Sequence, residues 1–138
     1  TGGAERLRAA MPIRRLQPAP GGDAAAREAC RRGDAWRWDG VDFRILHPPA
    51  DFTGTDNDHS CAILVSGRGG RALLLADPEA AAEAQLATRE VAADLVLLPH
   101  HGSRTSSGAA LVSAVGARYG IASAGFGNRW GMPDAGDV

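Results

Sequence analysis

The stretch ADLVLLPHHGSRTSS, Ala93 to Ser107, carries the pattern that decides the fold. Its apolar run, Leu95 to Leu98, predicts a buried strand that ends at two adjacent histidines, His100 and His101. Gly102 follows them and allows the backbone to approach a bound group closely. Neutral imidazole is the commonest nitrogen ligand of zinc, so this strand end is a candidate metal site.

A cluster of hydroxyl side chains follows the histidines, at the predicted start of a helix that runs to about Val115. Free backbone N–H groups and the helix dipole favour an anion such as phosphate at such a position. The alternative is a purely structural role, in which the hydroxyls cap the helix and the histidines are hydrogen-bonded. The combination favours a metal beside a phosphate, with these candidate phosphate-binding residues: Ser103, Thr105, Ser106 and Ser107.

Length and charge exclude several classes of protein. The 138 residues are enough for one domain, which we predict to span 1–138. With 15 basic and 16 acidic residues there is no global positive field, so phosphate binding must be local. No apolar run is long enough to cross a membrane, and no dinucleotide or Walker fingerprint is present.

The order of apolar segments predicts a mixed fold. Trp36 to Leu46 reads as a hairpin turning at Asp39-Gly40, and 61–65 with 72–76 as a second hairpin joined by 66–70. Antiparallel hairpins followed by alternating helices and strands indicate an α+β or layered α/β domain. The remaining predicted elements are a helix from Pro78 to about Glu90, a strand Tyr119 to Ala122, and, near the N-terminus, helices 4–11 and 24–32 with a strand 13–16.

Asp77 ends the predicted strand of the second hairpin. A carboxylate that converges with His100 and His101 suits zinc or manganese and could bridge two ions that polarise a phosphoryl group. Asp77 is equally well placed to cap the helix that begins at Pro78. Both roles stay open at this point.

Five segments follow one another in a fixed order between about Ala35 and Pro133: WRWDGVDFRILHPP, NDHSCAILV, RALLLADPEAAAE, LLPHHGSRTSS and SAGFGNRWG. In this order they resemble the metallo-β-lactamase-like domain of the ComEC family of DNA-uptake proteins. The resemblance implies a four-layer αββα fold and a metal-dependent phosphodiesterase that acts on DNA, degrading the strand that is not imported. A polytopic membrane domain of the same polypeptide would pass the other strand.

The resemblance also implies roles for particular residues. Asp77 resembles the bridging carboxylate of a metal pair, and His101, with or without His100, resembles a late histidine ligand; the other histidine would contact the scissile phosphate. Asn128 and Arg129 border the family's site, where Arg129 suits bidentate binding of phosphate or is a surface arginine on a turn.

Other residues near these segments are weaker candidates. His59 lies near the family's middle ligand, in a segment whose usual features are Asn57 and Ser60, but a loop histidine more often faces solvent. Trp130 and the hairpin tryptophans could stack on bases, although packing is the favoured interpretation.

The chain departs from the family at three points. Met132 stands where many members have histidine, and Ala76 replaces the glycine that often precedes the aspartate. The family's HxDxDH loop is absent, and TGGAERLRAAMP resembles the residues that follow it. We therefore expect a fragment that lacks the N-terminal strands and that loop, is inactive as it stands, binds no metal by itself, and exposes an apolar face that favours self-association.

Cys30 and Cys61 lack a C-x-x-C spacing and are either two buried thiols or one disulfide. Since both lie in segments that match the family, a disulfide is a reasonable hypothesis. It would place the domain on the periplasmic side of the inner membrane.

Two rival functions share these residues. A non-catalytic DNA-binding or scaffolding module would keep the fold without the chemistry. The second rival is a metal-dependent hydrolase that acts on another phosphodiester or on an ester, because fold and metal chemistry do not determine the substrate. Neither reading requires a small-molecule cofactor.

Overall fold

The structure is a computed structural model that describes residues 30–136 and the single residue Ala10, which is helical. The rest of the predicted helix 4–11, the predicted strand 13–16 and residues 24–29 lie outside the described residues. The prediction that the helix 24–32 continues through its last three residues is wrong. The N–H of Arg32 donates instead to the Pro48 carbonyl at 2.7 Å, so this segment is held beside a strand.

One six-stranded sheet organises the described part of the chain, with its strands in sequence order. The first four strands are antiparallel, and the fourth, fifth and sixth are parallel. This mixed sheet with two α-helices confirms the α+β prediction, while the four-layer αββα arrangement and the single domain 1–138 stay predictions. The strands are β1 Ala35–Trp38, β2 Val41–His47, β3 Ala62–Gly67, β4 Gly70–Leu75, β5 Leu95–Leu97 and β6 Tyr119–Ile121.

Both predicted hairpins are present. Asp39 and Gly40 have φ angles of 50° and 80°, as a type I′ turn requires. In the second hairpin β3 and β4 pair as far as Gly67 and Gly70. The connection is therefore two residues long rather than the predicted five.

The two helices are shorter than predicted. Helix α1 spans Ala80–Ala87 and helix α2 spans Ala109–Val115. Pro78 and Glu79 precede α1 as extended chain, and the Thr88 hydroxyl closes its other end on the Gln85 carbonyl at 2.8 Å. The hydroxyl cluster 103–107 is consequently a turn before α2 and not its first turn.

The core lies between the helices and one face of the sheet. Leu64, Leu73 and Leu75 point to this face and pack with Leu86 of α1 and with α2 through Leu111 and Val115. Two apolar rows run across the second face of the sheet, on which neither described helix packs. Paired residues make up these rows: Trp36, Phe43, Val65, Ala72, Leu95 and Tyr119, then Ile45, Ile63, Leu74, Leu97 and Ile121.

The parallel strands direct the candidate residues to one edge. Because β4, β5 and β6 run the same way, the segments that follow them meet at their common carboxyl end. The His100 N–H donates to the Ala76 carbonyl at 2.9 Å, and the Leu98 N–H donates to the Ile121 carbonyl at 2.9 Å. Within residues 30–136, no helix has the length and apolarity that crossing a membrane requires.

Candidate active site

Asp77 and His101 come together after β4 and β5. His101 Nε2 lies 3.7 Å from Asp77 Oδ1, and both side chains are about half exposed. His101 Nδ1 lies 2.8 Å from the Ser123 carbonyl oxygen, which only accepts, so Nδ1 carries the proton in the neutral ring. In the neutral ring Nε2 then carries the lone pair, as in a metal-binding histidine whose second nitrogen is oriented by a carbonyl.

The carboxylate of Asp77 is not used as a helix cap. The N–H groups of Glu79 and Ala82 at the start of α1 donate instead to Oδ1 of Asp58, at 3.0 and 3.2 Å. The Asp77 N–H donates to the Ser60 hydroxyl at 3.1 Å, which holds its backbone in place. Asp58 therefore caps this helix, and Asp77 does not.

Asp58 is a buried carboxylate made compatible with the interior by hydrogen bonds. Burial alone would raise its pKa, but the N–H groups of Ala82, Glu79 and Thr55 and the Thr55 hydroxyl outweigh it and lower the pKa. Asp58 thus stays ionised at the positive end of α1, where the helix dipole also favours a negative charge. The side chain positions the helix that follows Asp77.

Residues Pro99–Gly102 form a turn, here called the histidine turn. Its last three residues adopt left-handed backbone. The φ angles of His100, His101 and Gly102 are 48°, 60° and 76°. Such a conformation costs about 1–3 kcal/mol for a non-glycine residue, and residues of this kind cluster at functional sites. His100 Nδ1 is also buried without a hydrogen-bond partner among residues 30–136. The turn therefore presents two imidazoles in a strained and incompletely satisfied arrangement.

Gly102 is needed for contact with the chain itself. A Cβ at this position would lie 2.7 Å from the Pro133 Cβ. The room we expected to be left for a bound group is therefore taken, at least on this side, by Pro133.

The anion position at the start of α2 is filled by the protein. The buried carboxylate of Glu83 accepts the N–H groups of Ser107 and Gly108 at 2.7 and 2.8 Å. A helix start was the reason for expecting phosphate there, and Glu83 supplies the negative charge instead.

The four candidate hydroxyls divide into two kinds. The Ser103 and Thr105 hydroxyls lie 3.1 Å apart and are hydrogen-bonded to each other near the surface. The Ser106 hydroxyl points inward to the Pro99 and Ser103 carbonyls, and the Ser107 hydroxyl is buried with no partner among the described residues. Phosphate binding by these hydroxyls stays a prediction, and Ser103 and Thr105 are the accessible pair.

Asn128 and Arg129 lie in the segment between β6 and the end of the described chain. The Asn128 amide donates to the Gly125 and Met132 carbonyls, and its oxygen accepts the N–H groups of Trp130 and Met132. The Arg129 guanidinium lies 4.3 Å from the centre of the Trp130 ring. Asn128 therefore shapes this loop, and contact of either residue with phosphate stays a prediction.

The packing interpretation holds for one tryptophan. Trp36 stacks on Phe43, with ring centres 5.0 Å apart. Packing is wrong for Trp38 and Trp130, whose exposed fractions are 73% and 66%.

The His59 ring is held by backbone carbonyls of its own loop. Its ring nitrogens face the Thr55 and Phe52 carbonyls at 2.8 and 3.2 Å. A metal ligand needs a nitrogen lone pair that is not directed at a carbonyl oxygen, so this geometry gives no support to His59 as a ligand.

Cys30 and Cys61 form a disulfide, with their Cα atoms 6.1 Å apart. The bond confirms the disulfide alternative and ties the segment before β1 to the start of β3. Cys61 follows Ser60, so the crosslink lies one residue from the side chain that holds Asp77.

Three residues that shape the site were missed from the sequence. Ser60 was noted only as a family feature, and Asp58 and Glu83 were not considered. Each acts on a backbone group far along the chain, which no local spacing reveals. A signal was present in retrospect, because Glu83 is a carboxylate on the inward side of an alanine-rich helix.

The chain is similar in sequence to several known proteins. It is 39% identical over 107 residues to recombination protein 2 of Haemophilus influenzae, which covers 78% of this chain. It is 35% identical over 101 residues to competence protein ComA of Neisseria gonorrhoeae, which covers 71% of this chain. Over about 100 residues, the chain is related to competence proteins.

The relationship covers only part of those proteins. The chain spans 14% and 15% of these two relatives, about one seventh of their length. An uncharacterised protein of Escherichia coli, YcaI, is 38% identical over 109 residues, which are 77% of this chain and 14% of that protein. No protein-family model and no solved structure matches the chain.

Proposed function

We propose that this competence-related chain carries part of a metal-dependent phosphodiesterase site that cleaves DNA during its uptake. The observation that carries the proposal is the Asp77–His101 pair. A carboxylate oxygen faces the free imidazole nitrogen at 3.7 Å, and a backbone carbonyl fixes the tautomer that leaves that nitrogen free. Relatives named as competence and recombination proteins support DNA as the substrate.

The residues present fit a divalent cation such as zinc or manganese. Carboxylate oxygen and imidazole nitrogen are donors that both ions accept, and His100 Nδ1, which has no hydrogen-bond partner among the described residues, is a second imidazole nitrogen on the same turn. When bound, the cation stabilises the charge that develops on the phosphoryl oxygens. Asp77 and His101 would hold it, and further ligands would come from outside residues 30–136.

The protein's own groups would orient the DNA phosphate. The left-handed backbone of His100, His101 and Gly102 holds the two imidazoles on one turn, so that one can bind the cation while the other contacts the phosphate. Ser103, Thr105 and the Arg129 guanidinium are the accessible groups that can donate hydrogen bonds to phosphate oxygens. Catalysis would then rest on positioning and on charge stabilisation.

Cleavage of a labelled oligonucleotide tests the proposal, in the protein at its full natural length and with Mn²⁺ or Zn²⁺ added. Asp77→Asn should lower the cleavage rate by about 100-fold or more, because it removes a charged donor to the cation. Asp42→Asn is the matched control, since Asp42 is an exposed carboxylate on β2 that pairs with Arg37 of β1. This variant should cleave at the wild-type rate.

Two results would contradict the proposal. Equal metal-dependent cleavage by wild type and Asp77→Asn would overturn the assignment of the site. DNA binding by the wild type without any metal-dependent cleavage would support the rival reading, a non-catalytic DNA-binding or scaffolding module.

We further propose that the chain is an extramembrane part of an inner-membrane protein, on the periplasmic side, joined to a polytopic membrane domain of the same polypeptide. The Cys30–Cys61 disulfide supports an oxidising compartment. In intact cells neither cysteine should react with an alkylating agent until a reductant is added. Labelling of both thiols without reductant would contradict this placement.

A further inference from the structure

The loop formed by residues 122–134, here called the aromatic loop, is fastened at both ends to the histidine turn. Near its start, His101 Nδ1 donates to the Ser123 carbonyl at 2.8 Å. At its end, the Asp134 N–H donates to the Gly102 carbonyl at 2.8 Å, and Pro133 fills the space beside Gly102. The loop therefore projects from the candidate active site and returns to it.

Two aromatic side chains on this loop face solvent. Phe126 is fully exposed, and Trp130 is 66% exposed. The Arg129 guanidinium lies 4.3 Å from the centre of the Trp130 ring, so a positive charge accompanies one of the two aromatic surfaces. Water-facing aromatic rings close to a site indicate a contact surface, because they gain nothing from burial in the fold.

The loop is ordered by its own hydrogen bonds. The Asn128 side chain makes four of them, to backbone groups of Gly125, Trp130 and Met132. The aromatic rings are thus displayed from a backbone that is already organised, which lowers the entropy lost when a ligand binds.

We propose that Phe126 and Trp130 stack on unpaired bases of single-stranded DNA and so position the strand across the candidate active site; this rests on the proposed function. Phe126 is three residues from Ser123, so its Cα is within about 11 Å of that anchor, and Trp130 is within about 14 Å of Asp134. Both lie within a few nucleotides of a phosphate held at the histidine turn.

The chemistry favours a single strand over the alternatives. Base faces are accessible to side chains only when the bases are unpaired, and aromatic stacking on them tolerates any sequence. Arg129 adds an attraction for the backbone phosphates that the net charge of −1 does not supply. Exposed aromatic side chains could also bind a membrane surface. Membrane binding, however, would not explain why the aromatic loop is fastened to the histidine turn.

The test measures binding apart from cleavage. Fluorescence anisotropy of a labelled 12-nucleotide deoxythymidine strand is followed in EDTA, with the protein at its full natural length. Phe126→Leu and Trp130→Leu should each weaken binding by about 5- to 150-fold, the range for loss of one stacked base. Tyr119→Leu is the matched control, because Tyr119 is an exposed aromatic residue with Arg118 beside its ring but lies at the start of β6, away from the histidine turn, and it should bind as wild type does.

A second probe separates bases from phosphates. An abasic strand of the same length carries the same charges, so wild type should bind it weakly, and the two loop variants should bind it no worse than wild type. Equal binding of both strands by wild type, or wild-type affinity in both variants, would overturn the proposal. So would loss of binding to phosphatidylglycerol vesicles in the variants with oligonucleotide binding unchanged.

The binding outcomes can be distinguished from the outcome for the proposed nuclease activity. Base-dependent binding that Asp77→Asn leaves intact, together with the absence of metal-dependent cleavage, would sustain the stacking surface and defeat only the proposed function. Both loop variants should keep the wild-type melting temperature, since their side chains are exposed.

Discussion

The four histidines fall into two pairs with opposite environments. His47 is buried, and its Nε2 donates to the Asp58 carbonyl at 2.7 Å; both nitrogens of His59 face carbonyl oxygens. His101 instead turns one nitrogen toward the Asp77 carboxylate, and His100 keeps a buried nitrogen without a partner among the described residues.

The difference separates histidines held by backbone carbonyls from the two candidate site histidines. The rings of His47 and His59 lie against nearby backbone carbonyls, and the ring of Phe52 contacts both imidazoles. At the histidine turn the backbone is strained and hydrogen-bonding capacity remains unused. Unused capacity in a strained backbone has a stability cost that binding of a ligand can offset.

The largest expected effect contrasts one histidine from each pair. His101→Gln should lower metal-dependent cleavage by about 100-fold, because it removes a donor to the cation, and should change the melting temperature little, because the side chain is half exposed. His59→Gln should leave the cleavage rate of folded protein unchanged. Equal rates for the two variants would abolish the distinction between the pairs.

Removal of the Asp58 carboxylate tests the structural role of Asp58 as the cap of α1. Asp58→Ala should cost about 2 kcal/mol of unfolding free energy, since it deprives α1 of its cap and leaves two N–H groups unpaired. Hydrogen exchange of the α1 amides measures the loss. Asp58→Asn keeps one acceptor oxygen and should lose less than half as much; protection unchanged in Asp58→Ala would contradict the capping role.

Gly102 connects the histidine turn to the aromatic loop. Gly102→Ala should destabilise by about 1–2 kcal/mol, because the residue has a φ of 76° and its new Cβ would collide with Pro133. Gly40→Ala is the comparator, with a similar φ but no atom within 4 Å of the added Cβ. The excess loss of Gly102→Ala in thermal unfolding isolates the collision, and equal losses would refute it.

The smallest effect concerns pH and His47. Burial lowers the pKa of His47, more than its hydrogen bond to the Asp58 carbonyl raises it. The unfolded chain therefore takes up the proton first, so this contribution to stability is complete above pH 6.5 and is lost as the pH falls toward the folded pKa. His47→Gln should flatten the pH dependence of unfolding between pH 7 and 5, and an unchanged slope would contradict this assignment.

Local patterns carried much of the fold. Alternating residues around Asp39-Gly40 predicted the first hairpin, and the apolar run before His100 predicted β5, because period and turn chemistry act within a few residues. Both helices were predicted too long, since their starts depend on distant carboxylates of Asp58 and Glu83.

The candidate site was predicted as a set of residues and not as an arrangement. Strand ends placed Asp77 and His101 at one edge, and the five-segment order linked them to the ComEC family. The sequence did not show that the Asp77 carboxylate is left out of helix capping, nor that Trp130 is exposed, because both depend on contacts with residues distant in the chain.

By itself the sequence determined the alternation of strands and helices, and the placement of Asp77, His100 and His101 after neighbouring strands at one sheet edge. Those features arise from hydrophobic period, turn residues and strand direction, which are encoded locally. Only the tertiary structure decided which groups remain free for chemistry. Asp58 caps the helix and releases Asp77, Glu83 fills the anion position at α2, and the Ser123 carbonyl fixes the His101 tautomer, all through contacts between residues far apart in the chain.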